Sequence, residues 1–236
     1  MTPPNSLSRP NLAVLNWLPL GALLAALVVF CLSGCAGLSE NLDLARVAVP
    51  PYQPVNHVGL AVLPSDLRRV ALLPVCAGRL VDPETAASLD PIFLNGLQRQ
   101  MRFEVVPVSR DWCRRYFGST EFSSVGVLPR DFVTRIATDF AVNGVMFVDL
   151  TAYRDDRPLG LGIRAKLALT ADASVAWGFD EILSAADPAV ASGARAYVRA
   201  ANPPGQPVDL SPSALQSPSR FAAYAAATIF GTLPPR

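Results

Sequence analysis

From residue 70 onward the chain alternates between short apolar runs and segments whose apolar positions recur every three or four residues. That rhythm predicts strands and helices in turn. Val70-Ala71-Leu72-Leu73-Pro74-Val75 is a continuous apolar run, the length of a buried strand and ended by Pro74. A helix is predicted over 84–101, where Phe93, Leu94, Leu97 and Met101 share a face; Asp90 and Pro91 read as a cap and first-turn proline for its second half. Residues 103–108 read as a second strand. A short helix begins at Ser109 or Arg110, runs through Tyr116 and stops at Gly118. Over 129–142, Phe132, Ile136 and Phe140 fall at i, i+4 and i+8, and Asn143-Gly144 is expected to supply the left-handed turn that ends the helix. A third strand, 145–153, is apolar on both faces in its first half, as a central strand is.

The most regular pattern lies over 159–172. Leu159, Leu161, Ile163, Ala165, Leu167 and Leu169 alternate with Gly160, Gly162, Arg164, Lys166, Ala168 and Thr170, so one face is core and the other largely solvent. A fifth strand follows a tight connection at 172–173, with Val175, Trp177 and Phe179 on one face, which makes an antiparallel three-stranded meander. Two helices close the chain. Asp187 and Pro188 start the first, with Val190, Ala194 and Tyr197 inward, and Asn202-Pro203-Pro204 ends it. Ser217 caps the second, with Phe221, Tyr224 and Ile229 inward. The expected fold is α/β: a single domain with a mixed sheet, containing that meander, and helices packed on the sheet.

Before residue 70 the pattern changes. Residues 35–69 read as an N-terminal tether broken by Pro50-Pro51, Pro54 and Pro64. Val55, Val58, Leu60 and Val62 would let its middle lie on the domain as an extended strand, and the sequence leaves open whether it is free or packed. Further back, residues 18–32 form an apolar run of 15 residues, shorter than the ~20 a spanning helix needs. With Arg9 before it, this reads as a secretory signal over 1–34. Leu32-Ser33-Gly34-Cys35 then looks like the lipobox of bacterial lipoproteins. The resemblance implies cleavage before Cys35, a diacylglycerol on its thiol and an N-acyl chain on its amine. The competing reading is an uncleaved membrane anchor, which leaves the small residues and the Cys unexplained. Ala36 following the Cys resembles lipoproteins sent to the outer membrane, facing the periplasm. The globular domain is expected over 70–236.

All 19 acidic residues follow Cys35, and so do 19 of the 20 basic ones. A net charge of zero for that part gives no basis for a nucleic-acid partner or a basic membrane-binding face. Lys166 is the single lysine. Cys76 and Cys113 remain after Cys31 leaves with the signal and Cys35 is lipidated. In an oxidising compartment they could form a disulfide closing 36 intervening residues, worth ~3–4 kcal/mol in the entropic view; otherwise they are two buried thiols.

No catalytic or metal-binding signature is found. The one histidine, His57, falls in the Pro-rich tether and reads as solvated. There is no nucleophile elbow and no phosphate loop, and Gly160-Leu161-Gly162 reads as a bulge or close contact in a strand. Two acidic pairs, Asp155-Asp156 and Asp180-Glu181, are the best candidates for acid–base or calcium chemistry, and both read as solvated turns. Trp112, Tyr116 and Phe117 form either core or a surface patch, with core favoured.

Four segments together carry a family resemblance: the lipobox at Cys35, Arg69-Val70-Ala71-Leu72-Leu73-Pro74-Val75, Asn143-Gly144-Val145-Met146-Phe147-Val148-Asp149-Leu150, and Trp177-Gly178-Phe179-Asp180-Glu181. Over about 70–230 the chain resembles the α/β lipoproteins related to the curli-assembly lipoprotein. Similar domains occur in penicillin-binding-protein activator lipoproteins and at the amino terminus of the Tol–Pal propeller protein. It lacks the amphipathic hairpins of the curli pore, and the resemblance transfers no functional residue beyond Cys35. It implies a non-enzymatic binding or scaffolding module in envelope assembly, secretion or wall maintenance. Such a module has no cofactor besides its lipid, is held to the membrane by its anchor, binds an envelope protein and leaves self-association open. The alternatives are an accessory lipoprotein that binds a small apolar or peptidic ligand for a transporter, with a pocket between sheet and helices, and, more remotely, an envelope hydrolase.

Overall fold

The computed structural model describes residues 49–201 and 215–236. The signal segment, Cys35 and much of the Pro- and Ser-rich stretch at 203–218 lie outside the described residues. Within them, one mixed sheet of six strands carries five helices. The strands are β1 (His57–Gly59), β2 (Arg69–Leu72), β3 (Glu104–Pro107), β4 (Gly144–Arg154), β5 (Gly160–Leu169) and β6 (Val175–Ser184). The helices are α1 (Pro83–Gln98), α2 (Arg110–Phe117), α3 (Phe132–Phe140), α4 (Pro188–Ala201) and α5 (Pro218–Phe230). Across the sheet the order is β1-β6-β5-β4-β2-β3. β3, β2 and β4 run parallel to their neighbours, whereas β4, β5, β6 and β1 pair antiparallel.

The meander forms where the alternation predicts it. Leu161, Ile163, Ala165 and Leu167 of β5 are buried on one face with Trp177 and Phe179 of β6. On that face α1, α4 and α5 complete the larger core through Phe93, Leu97, Val190, Ala194, Phe221, Ile229 and Phe230. Phe93 and Phe230 meet edge to face at 6.1 Å. Gly96 lets α1 and α5 approach closely, since a Cβ there would stand 2.7 Å from that of Ala226. On the opposite face a smaller core gathers Cys113, Phe122, Phe132 and Ile136 over Ala71, Leu73, Val145 and Phe147.

Several details depart from the sequence reading. Helix α1 is capped by Asp82, whose carboxylate accepts from Glu84 N and Thr85 N at 2.9 Å, and it runs on through Pro91. Asp90 is therefore not a cap. The left-handed residue ending α3 is Ala141, at φ 50°, not Gly144. Gly144 is instead the first residue of β4, where a Cβ would meet Leu67 Cδ1 at 2.8 Å. Val175 is exposed rather than sharing the buried face of Trp177, because a register shift between Leu167 and Ala168 displaces it. Residues 57–59 of the Pro-rich segment form the edge strand of the sheet.

Candidate functional site

In an open α/β sheet, ligands settle outside the carboxyl ends of the strands, where neighbouring connections leave on opposite faces. That point here lies at the end of β2. The connection from β2 to β3 is α1, on the face of the larger core; the connection from β3 to β4 is α2 and α3, on the other. Residues 74–76 extend β2 into this crevice, and Cys76 bridges Asp149 of β4 in parallel fashion.

The protein fills the crevice itself. Arg110, at the start of α2, donates from Nε to Asp90 at 2.7 Å, from Nη2 to Asp90 at 3.0 Å and to the Val75 carbonyl at 2.8 Å, and from Nη1 to Glu121 at 3.2 Å. Asp90 also accepts from Val75 N at 2.8 Å. Glu121 accepts from Gly78 N at 2.8 Å and from the Cys76 thiol at 3.7 Å. One strand away Asp149, only 5% exposed, accepts from Ser124 N at 3.0 Å, from Ser124 Oγ at 2.6 Å and from Ser123 Oγ at 3.2 Å. Lys166 Nζ donates to the Ser124 carbonyl at 3.1 Å. The α2–α3 loop is thereby drawn over the strand ends, with each of these charges answered from within the chain.

Burial by itself would lower the Arg110 pKa, but Asp90 and Glu121 overcome it and hold the guanidinium above its ordinary value. Burial, reinforced by the charges of Glu121 and Asp149, pushes the Cys76 thiol up to about 12. Burial likewise pushes Cys113 up to about 11, against the opposing charge of Arg110. Such thiols stay protonated near neutral pH and are poor nucleophiles. Both are free thiols in the structure.

The acidic pairs sit on different elements. Asp155 and Asp156 occupy the exposed β4–β5 loop, where Arg154 approaches Asp156 at 3.9 Å. Asp180 and Glu181 belong to β6 rather than to a solvated turn. Asp180 pairs with Arg164 of β5 at 2.7 Å, and Arg164 stands in register with Asp149 of β4, so acid, base and acid cross three strands on one face. Glu181 reaches the other way, accepting from Tyr52 Oη, Val55 N and Asn56 N. His57 is exposed in β1 opposite Phe179. Trp112 packs against Tyr116, Phe117 and Phe140, while the partly exposed Tyr116 ring lies 4.3 Å beneath the Arg135 guanidinium. Gly162 faces a register shift in β4, where a Cβ would meet Thr151 Oγ1 at 2.6 Å. Among the described residues no group of three or more His, Cys, Asp or Glu side chains is placed to hold a metal ion.

A groove of about 260 Å³ opens between α1, α4 and α5, lined by Pro91, Ile92, Asn95, Gly96, Arg99 and Tyr197. Arg99 donates to Tyr197 Oη across it at 3.3 Å. It lies on the helices, not between sheet and helices as expected for a ligand pocket.

No protein-family model and no curated protein matches the chain. Among solved structures it is similar to the PelC dodecamer of Paraburkholderia phytofirmans, at 12% identity and a TM-score of 0.47, over 76% of this chain and 96% of that one. It is also similar to the lipoprotein GNA1162 of Neisseria meningitidis, at 11% identity and a TM-score of 0.39, over 51% of this chain and 85% of that one. A third is the LpoB C-terminal domain of Salmonella enterica, at 14% identity and a TM-score of 0.33, over 49% and 82% respectively.

Proposed function

We propose that this chain is a bacterial envelope lipoprotein, anchored by acyl chains on Cys35, and that it works by binding or scaffolding a protein partner in envelope assembly, secretion or wall maintenance rather than by catalysis. The observation that carries the non-catalytic part is the crevice at the end of β2. The position where an α/β sheet would hold a substrate is occupied by Arg110, Asp90 and Glu121, bonded to one another and to the backbone, and by Ser123 and Ser124, bonded to Asp149. The address rests on Leu32-Ser33-Gly34-Cys35 at the end of its apolar run. Two lipid chains hold a protein to a membrane stably where one does not, and the outer membrane is the destination we infer from Ala36. Cleavage before Cys35 would leave residues 35–56 between that anchor and β1, the first strand of the sheet.

Intact mass of the membrane-extracted protein, beside a Cys35→Ala variant, tests this. A chain beginning at Cys35 with added acyl mass, and a variant left unprocessed, are expected. A full-length unacylated mass would make the apolar run a membrane anchor. The second reading, an accessory carrier of a small apolar or peptidic ligand, is favoured only by the α1–α4–α5 groove. It places Arg99 and Tyr197 at the ligand, and ligand protection of Tyr197 from nitration would bring it forward.

A further inference from the structure

We propose that residues 52–62 are a releasable strap, latched to β6 by the Glu181 carboxylate, which leaves the domain as a unit while the rest of the sheet stays folded. The first ground is burial. Leu63 and Leu67 are in the core, but every residue from 55 to 62 is exposed, the apolar Val55, Val58, Leu60 and Val62 included. Of the whole strap only Tyr52, partly buried against the larger core, and the half-buried Pro54 are packed, and an element with so little buried apolar surface opens at low free energy. The second ground is how the strap is held. β1 is three residues long, and its ladder to β6 is extended at either end by Asp180 N donating to the Asn56 carbonyl and Leu60 N donating to that of Ala176, at 3.1 and 3.0 Å. Beyond these, Tyr52 N donates to the Ala189 carbonyl at 3.2 Å and Asn56 Nδ2 to the Asp180 carbonyl at 2.6 Å, and one carboxylate gathers Tyr52 Oη, Val55 N and Asn56 N. The third ground is a defined hinge: Leu63 N donates to the Pro235 carbonyl at 2.9 Å beside the buried Leu63 side chain, so release stops there.

Release has two consequences. It frees the backbone edge of β6 between Ala176 and Asp180 for another extended strand, the mode by which sheets accept peptide partners. It also adds eleven residues, up to about 40 Å of extended chain, to whatever joins the domain to its N-terminal anchor. The strap itself does not depend on the anchor being lipid, so the mass measurement above and the test below can fail separately.

Hydrogen exchange on the full chain tests the strap. The amides of Val55, Asn56, Leu60 and Asp180 are expected to exchange with one common protection, about 100-fold or more below that of the β4–β5 ladder. In Glu181→Gln, which keeps the side chain's shape, those four are expected to exchange faster while β5 is unchanged. Tyr52→Phe, which removes one donor, should move them the same way by less. Protection of the four equal to that of β5 in the wild type would overturn the proposal. So would a Glu181→Gln variant in which strap and β5 amides lose protection together.

Discussion

The two halves of the sheet are built on opposite terms. Around β2, β3 and β4 the strands run parallel, helices cover both faces, and the charges at the strand ends are locked into a closed set centred on Arg110 and Asp149. In the half made of β5, β6 and β1 the strands are antiparallel and only one face is packed. The other carries Arg164, Lys166, Gly178 and Asp180, all partly exposed, with Val58 and Ile182 70% and 64% exposed. A parallel strand needs its crossover on a face and so acquires cover, while a meander turns tightly and leaves one face for whatever lies outside. Both halves share the larger core on one face, so what separates them is the other face: covered around β2, β3 and β4, and open to contact with other molecules on β5, β6 and β1.

The sharpest way to break that contrast is chemical. At pH 8 the raised pKa values leave little thiolate on either cysteine, so Cys76 is expected to alkylate about 10³-fold more slowly in the folded chain than after denaturation, the rate rising with pH through the region near 12. Both thiols should label once the chain is unfolded without reductant; mass spectrometry reads this, and failure to label without reductant would reveal a disulfide. Next comes Arg110→Ala, which strands Asp90 and Glu121. It is expected to destabilise by about 3 kcal/mol, seen as a shift of the denaturation midpoint at constant slope. Asp149→Ala leaves the Ser124 N–H and two hydroxyls without their acceptor and should cost about 2 kcal/mol in the same measurement. On the bare half, Arg164→Ala removes a partly exposed pair with Asp180 and should cost under about 1 kcal/mol. If Arg164→Ala proved as damaging as Arg110→Ala, the division between the halves would be wrong.

What was legible in the sequence follows the same division between pattern and partnership. The alternation over 159–172 located β5 and its buried face, and the apolar residues at i, i+4 and i+8 located α3, because both are periodic signals from burial on one side. Asp90 was open to misreading because an acid before a proline is a good helix start, yet its carboxylate is committed to a residue 20 positions on. The Arg110 set had no signature at all: its partners lie 20, 11 and 35 positions away, and ion pairs leave no period in a sequence. Glu181 was visible as half of an acidic pair, but its work depends on backbone groups some 126 positions earlier, just ahead of a strand only three residues long.

Lys166 has a practical consequence. It is the chain's single lysine, and its ammonium is tied to the Ser124 carbonyl beside the bare face. In a mature chain whose first amine is acylated, as proposed, it is also the last primary amine. Crosslinkers and tags that seek amines would then find one partly shielded target and little else, and a partner held elsewhere on the surface would escape them. Reagents aimed at carboxylates, or photo-reactive groups placed at Val58 or Ile182, would look where amine chemistry is blind.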